Sequence, residues 1–297
     1  MIDRRARRAI AIGCIAAAGT AGVALAQAPA TPAGNFGGGA IAVPVDENTT
    51  QKDMLLAIRA VASGRIGVDG QISTPCGQAT IRGKTTPAAD GSFTLRGNAT
   101  RKAVVGVTER TAFTVTGTLT ADGGTGTAKA TVRARGGGRK ASTCQSRTVR
   151  WTVRRPAEVA AAGPGPGEGT LFGLTAQSGA SAKRPIVLHV SNAGRAIDRL
   201  VLSFRARCDS RRLVEPSDVN YSPEFDIDAD GSFRAVERFR VNYSDVIQRT
   251  TVVVSGQFDA AGAVAGQLSV TQRYTNRRNG RRVGDCKTGA QTWSARP

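Results

Sequence analysis

The sequence has very few of the side chains on which most catalytic sites depend. Its 297 residues include one histidine, two tryptophans and two methionines. The histidine, His189, lies in the apolar run 186–190, where we expect a structural role rather than general-base catalysis. The sequence contains no G-x-S-x-G nucleophile elbow and no C-x-x-C interval that would pair with the histidine in a zinc site. It therefore predicts a protein that is not an enzyme and that holds no cofactor.

Aromatic and acidic residues are also scarce. Aromatic side chains make up 5% of the chain, which argues against a surface that stacks the bases of single-stranded nucleic acid. Lys and Arg outnumber Asp and Glu by 41 to 22, so the formal net charge is +19. This surplus favours anionic partners, although a GC-rich genome also produces arginine-rich chains. We expect an anionic polymer of the cell envelope or an extracellular protein as partner, and no specific nucleic acid.

Long apolar runs are missing except near the N-terminus. Four arginines precede the apolar run 9–24, and residues 24–26 supply a small-x-small cleavage site, so residues 1–26 have the pattern of a signal peptide. An uncleaved anchor helix is disfavoured because the run is rich in alanine and glycine, and Cys14 lacks the sequence of a lipoprotein signal. Cleavage removes four arginines and one aspartate and lowers the net charge from +19 to +16. We expect the mature chain to be secreted or envelope-associated and not to span the membrane.

An internal repeat organises the remaining chain. Each tryptophan, Trp151 and Trp293, follows a cysteine by seven residues, and an Ala-Asp-Gly-Ser-Phe segment occurs at 89–93 and again at 229–233. Matches in the same order and at similar spacing indicate two copies of one structural unit. The predicted organisation after the signal peptide is a Pro/Ala tether, unit 1, a Pro/Gly/Ala linker and unit 2, at residues 27–33, 34–155, 156–168 and 169–297.

Four cysteines remain after cleavage, and an even number in an exported chain indicates disulfides. Four cysteines allow three pairings, and the repeat selects the one that gives each unit its own bridge. The predicted bridges are Cys76–Cys144 and Cys208–Cys286.

The pattern of residues within each unit predicts an all-β fold. Short apolar runs alternate with Gly, Asp and Asn turns about every ten residues. Residues 53–61 have helical spacing, but the overlapping segment 56–66 aligns with 187–197, which is rich in β-branched residues, so we predict strands in both. Asp90-Gly91 and Asp230-Gly231 predict type I′ hairpin turns. The predicted architecture is two tandem immunoglobulin-like β-sandwiches on a semi-flexible linker, with both tryptophans in the cores.

Unit 2 resembles a secreted β-sandwich repeat of high-GC bacteria. The resemblance rests on the opening Gly169–Thr175, a cysteine, the D-G-S-F hairpin, a G-x-F strand and the closing C-x-x-G-x-x-x-W. Unit 1 follows the same plan less closely, with Arg147 in place of the turn glycine. The resemblance covers nearly all of the mature chain and implies a fold only. The pattern differs from that of antibody domains, because both tryptophans follow both cysteines of their unit.

One segment matches the spacing of a calcium-binding loop. Residues 226–237 fit D-x-D-x-D-G-x5-E, which predicts Asp226, Asp228, Asp230 and Glu237 as the ligands. The flanking residues read as strands rather than helices, and unit 1 has the same turn without the other carboxylates. The alternative is an exposed acidic hairpin, which we favour.

Basic residues cluster at the last hairpin of each unit. The predicted tips contain Arg133, Arg135, Arg139 and Lys140 in unit 1 and Arg277, Arg278, Arg281 and Arg282 in unit 2. Four cations on one loop can contact successive anionic groups, or they can be a solvated loop. The leading hypothesis is an exported, non-enzymatic binding or structural module. The alternatives are an electrostatic binder of envelope polyanions through these tips and a calcium-dependent adhesion module.

Overall fold

The computed structural model describes residues 33–42, 53–104, 107–136, 139–158, 161–165, 167–177, 184–210, 218–221, 225–243 and 245–297. This part of the chain is all-β, with 20 strands in two sheets and one short 3-10 turn at Asn192–Gly194. Within it, no helix is both long and apolar enough to cross a membrane. The all-β prediction is confirmed.

Sheet 1 contains nine strands and is barrel-like. The strands are β1 Gly34–Ala40, β2 Met54–Ala60, β3 Ile66–Thr74, β4 Gly77–Thr85, β5 Ser92–Val104, β6 Val107–Leu119, β7 Gly123–Gly136, β8 Arg139–Gln145 and β9 Val149–Arg154. They follow the order β4-β3-β2-β1-β9-β7-β6-β5, with β8 beside β7. The two outermost strands, β4 and β5, pack against each other, and the Thr85 hydroxyl donates to the Thr94 carbonyl at 3.3 Å.

Sheet 2 contains eleven strands. They are β10 Gly169–Thr175, β11 Pro185–Ser191, β12 Ala196–Ser203, β13 Arg207–Cys208, β14 Asp218–Tyr221, β15 Phe225–Asp226, β16 Ser232–Asn242, β17 Val246–Phe258, β18 Val264–Asn276, β19 Arg282–Lys287 and β20 Gln291–Arg296. The main order is β14-β12-β11-β10-β20-β18-β17-β16, with β19 beside β18 and β13 beside β19.

The two sheets have the same strand order. In each, one antiparallel run of strands is followed by a second, and the last strand returns to lie between them. The first run is β1–β4 in sheet 1 and β10, β11, β12 and β14 in sheet 2; the second run is β5–β8 or β16–β19. β9 lies between β1 and β7, and β20 lies between β10 and β18. The immunoglobulin-like sandwich is not confirmed, because each sheet is continuous and sheet 1 is barrel-like rather than two stacked layers.

Each sheet has its own apolar core built from alternating residues. In β3 the burial alternates strictly between buried and partly exposed positions, as a strand with one face on the core must do. Trp151 and Trp293 are 1% and 2% exposed and belong to the two separate cores. Trp151 packs against Phe93, and Trp293 packs against Phe233, at ring-centroid distances of 6.0 and 6.2 Å.

Both predicted disulfides are present. Cys76–Cys144 joins the β3–β4 turn to β8, and Cys208–Cys286 joins β13 to β19. The Cys286 side chain is fully buried in the core of sheet 2, whereas Cys76 is exposed. The two bridges indicate an oxidising, extracellular environment.

The predicted type I′ turns are wrong. Among the non-glycine residues that the structure describes, only Asn192 and Ala193 have positive φ, so Asp90 and Asp230 do not adopt the conformation that a type I′ turn needs. Only the glycine is left-handed in each turn, with φ of +80° at Gly91. The preceding aspartate instead accepts a hydrogen bond from the backbone N–H two residues later, which closes an Asx turn.

The two sheets pack directly against each other through β1–β2 and β10–β12. Gly37 lies so close to sheet 2 that a Cβ there would be 2.3 Å from the Gly173 carbonyl oxygen. Leu55 of sheet 1 joins Val187 and Val201 of sheet 2 in a separate apolar cluster. In the described residues, the two sheets are therefore in direct contact.

A buried ion pair joins the two sheets beside this cluster. The Arg199 guanidinium contacts the Asp53 carboxylate, and both side chains are 3% exposed. Asp53 also accepts a hydrogen bond from the Ala42 N–H at 3.0 Å. Part of the linker is fixed as well, since the Gly163 N–H donates to the Phe258 carbonyl at 3.0 Å.

Candidate functional site

The hairpin tip of unit 2 is exposed but only partly available for a ligand. Its four arginines are all exposed. Arg282 forms ion pairs with Asp209 and, at 3.3 Å, with Asp285. The hydrogen bond with Asp285 is the main cause that raises the pKa of Arg282. Because Arg282 shares its charge with two carboxylates, it stabilises the structure of this tip and is less available to bind an anionic ligand.

The predicted tip of unit 1 is not a single loop cluster. Arg133 and Arg135 are exposed, but they lie within β7, on the outer face of sheet 1. Arg139 and Lys140 belong to β8, and their side chains lie outside the described residues. Arg133 and Arg135 therefore lie on the face of a strand and not on a loop.

The strongest concentration of positive charge lies on the outer face of β16, β17 and β18. Alternate residues of these strands point away from the core. By strand register, Arg240 lies opposite Arg249, and Arg249 lies opposite Arg273. Three arginines thus form one row across three neighbouring strands, which we call the arginine row.

A second basic row runs beside the arginine row. Arg238 lies opposite Thr251, which lies opposite Thr271, and the register continues to Lys287 on β19 and Arg207 on β13. All three of these basic residues are exposed. Together the two rows form a face that we call the arginine face, made of Arg207, Arg238, Arg240, Arg249, Arg273 and Lys287.

The arginine row is an unfavourable arrangement for the folded protein alone. Neighbouring strands lie about 4.8 Å apart, and like charges directly opposite each other destabilise a sheet. At the outer end of the row, Arg273 lies 3.5 Å from the Asp285 carboxylate. Within the described residues, the Arg240 Nε donates to the side-chain oxygen of Asn242, which carries no charge. Such a row is typical of a surface that binds anionic groups.

We expect Arg249→Thr to stabilise the protein while weakening anion binding. Removing the central charge relieves repulsion from both neighbours, and threonine is favourable in strands, so the free energy of unfolding should rise by about 0.5 kcal/mol. Urea denaturation at low ionic strength measures the change. The same substitution at exposed Arg234, which faces Ser255 rather than another arginine, is the control. A loss of stability in R249T would contradict this account of the row.

The four predicted calcium ligands do not form a site. Among the residues that the structure describes, no three His, Cys, Asp or Glu side chains form a group that could hold a metal ion. Glu237 lies five residues beyond Ser232 on the extended strand β16, about 17 Å along the chain. The Asp230 carboxylate already accepts the Ser232 N–H at 2.9 Å, which lowers its pKa. Asp226 pairs with Ala196 in the sheet, so the calcium interpretation is not supported.

The single histidine is held in a structural hydrogen bond. The His189 Nδ1 and the Asp198 Oδ1 are 2.7 Å apart on neighbouring strands. His189 is 8% exposed and lies on the face of β11 that packs toward sheet 1, beside Val187.

The arginine row was not found from the sequence. The even spacing of Arg234, Arg238 and Arg240 indicates from the sequence alone that these three residues share one face of β16. Arg249 and Arg273 are isolated in the sequence, and only the register of two long hairpins brings them opposite Arg240.

Comparison with known proteins adds no relative to this picture. No family model, no curated protein and no solved structure matches the chain.

Proposed function

We propose that the protein is an exported, non-enzymatic binding module built from two related β-rich units. The signal-peptide pattern and the two disulfides support export. The shared strand order of the two sheets, together with the sequence repeat, supports the origin of both units from one ancestral unit. Each unit then consists of one sheet with its own core and its own disulfide.

The ligand that the structure favours is a linear polyanion bound to the arginine face. The observation that carries this proposal is the arginine row, in which Arg240, Arg249 and Arg273 lie opposite one another. Guanidinium groups hold phosphate, sulfate or carboxylate oxygens through paired hydrogen bonds. A polymer lying across the strands meets one cation at each strand, so it neutralises the repulsion within the row. In an exported protein the available polymers are those of the cell envelope.

The experiment compares two variants that lose the same charge from different places. R238T/R240T/R249T removes three cations from the arginine face, and R277S/R278S/R281S removes three from the hairpin tip of unit 2. Arg273 is retained because it forms an ion pair with Asp285, so its replacement would change more than the charge available to a ligand. Binding of residues 27–297 to isolated cell envelopes, to heparin and to polyphosphate is measured at about 50 mM salt. We expect the face variant to lose at least tenfold in affinity and the tip variant to lose much less.

The reverse ranking would assign binding to the tip, which is the alternative that the sequence offers. Equal losses in both variants would show that net charge alone matters, and unchanged binding in both would remove electrostatic binding as the function.

A further inference from the structure

The outer face of unit 1, like the arginine row, lies on three neighbouring long strands, but it carries different side chains. Strands β5, β6 and β7 line an open trough of about 550 Å³ on this face, within the size range of ligand sites. The polar residues of its lining on these three strands include Arg96, Asn98, Thr114, Thr116, Thr127 and Lys129. All of them project from alternate strand positions, away from the apolar core.

Strand register arranges these side chains in rows. Arg96 lies opposite Thr114, and Thr114 lies opposite Lys129. Each cation is therefore one strand, about 4.8 Å, from the central threonine. Both long side chains can reach an anionic group seated above Thr114.

The next row toward the β6–β7 turn supplies hydroxyl groups. Thr94, Thr116 and Thr127 lie opposite one another, and the hydroxyls of Thr116 and Thr127 are 2.9 Å apart, within hydrogen-bond distance. A threonine hydroxyl has one donor and two acceptor positions, so this pair still offers a donor and acceptors to a ligand. The outward residues of β5, β6 and β7 that the structure describes include no carboxylate that would repel an anion.

This combination selects a ligand that carries both an acid group and hydroxyl groups. The two cations alone would bind any anion. The neighbouring row of threonine hydroxyls adds hydrogen bonds for a ligand that is itself rich in hydroxyl groups. The aromatic residue of the lining, Phe113, is 4% exposed and belongs to the core, so binding rests on hydrogen bonds and charge rather than on stacking. We propose that the trough of unit 1 binds an acidic saccharide, with its carboxylate between Arg96 and Lys129 and its hydroxyls on the threonine row.

The saccharide site is separate from the arginine face and does not depend on it. It lies on sheet 1, and the arginine face lies on sheet 2. Each can be removed without touching residues of the other, so the two proposals can fail independently.

The test uses residues 27–297 carrying R238T/R240T/R249T, so that the arginine face does not contribute. Three probes are compared: a short galacturonic acid oligomer, the matching neutral galactose oligomer and a glutamic acid oligomer of equal charge. The site variant is T114V/T116V/T127V, because valine keeps the shape and strand preference of threonine and removes only the hydroxyl. The control is T118V/T125V, a facing pair on the same sheet outside the trough.

We expect the galacturonic acid oligomer to bind at least tenfold more tightly than either other probe. T114V/T116V/T127V should lose about tenfold or more for this probe, as expected for a few lost hydrogen bonds, and T118V/T125V should be unchanged. A second variant, K129M, should weaken the acidic oligomer and leave the neutral one unaffected. Equal affinity for the two acidic probes, no effect of the threonine substitutions, or no binding of the saccharide would each overturn the proposal.

Discussion

Replacing Cys208 and Cys286 by alanine is expected to lower the free energy of unfolding by more than 4 kcal/mol. The bridge spans 78 residues of sequence, and closing a loop of that length stabilises the folded state by about 4.5 kcal/mol in the chain-entropy model. Cys286 is also fully buried, and Cys208 packs against the same core, so the substitution adds a cavity cost of about 1 kcal/mol. Guanidinium chloride denaturation of the variant and of the parent chain measures the difference.

The other bridge provides the control for the burial contribution. Cys76–Cys144 spans 68 residues, so its loop contribution is nearly the same, about 4.4 kcal/mol. Cys76 is exposed and Cys144 only partly buried, so C76A/C144A lacks most of the cavity cost. We therefore expect the C208A/C286A protein to be the less stable variant. An equal or larger loss of stability in C76A/C144A would show that the burial of Cys286 adds no cavity cost to the loss of its disulfide.

Asp53→Asn is expected to destabilise the protein by about 3 to 5 kcal/mol, because it leaves the Arg199 guanidinium buried without its counter-charge. The asparagine side-chain oxygen can still accept the Ala42 N–H, so the loss reports the ion pair rather than that hydrogen bond. The pair joins sheet 1 to sheet 2. We therefore expect one cooperative unfolding transition in the parent chain and two separated transitions in the variant, measured by calorimetry.

A double-mutant cycle tests whether the loss comes from the unpaired charge. Arg199→Met alone should also destabilise, because it leaves the Asp53 carboxylate buried. The double variant D53N/R199M lacks both charges of the pair and should recover much of the stability, since uncharged replacements of buried ion pairs are often neutral. Additive losses in the double variant would show that the two side chains act independently.

The features that could be predicted from the sequence are those set by local pattern or by the repeat. The two cysteine pairings followed from the repeat, which gives each unit one pair, and the strand assignment of residues 54–60 followed from the β-branched residues of the second copy. The turn type at Asp90 was missed because Asp-Gly fits more than one turn. There the aspartate carboxylate accepts the Ser92 N–H, and only the glycine takes positive φ.

Features that depend on long-range register or on packing between units were not predictable. β4 and β5 close sheet 1 at its two ends, and nothing in either sequence marks that contact. Asp53 and Arg199 are 146 residues apart in sequence and meet only because the two sheets pack together. The arginine row has the same origin, since its three members come from three different strands.

The salt dependence of polyphosphate binding tests directly whether the arginine face binds polyanions. The logarithm of the binding constant is plotted against the logarithm of the salt concentration for the parent chain, R238T/R240T/R249T and R277S/R278S/R281S. Each cation in contact with the polymer contributes about 0.7 to 0.9 to the slope. We expect the slope for R238T/R240T/R249T to be about 2 to 3 units smaller than the parent slope. The slope for R277S/R278S/R281S should equal the parent slope. A parent slope in the face variant would contradict binding through the arginine face.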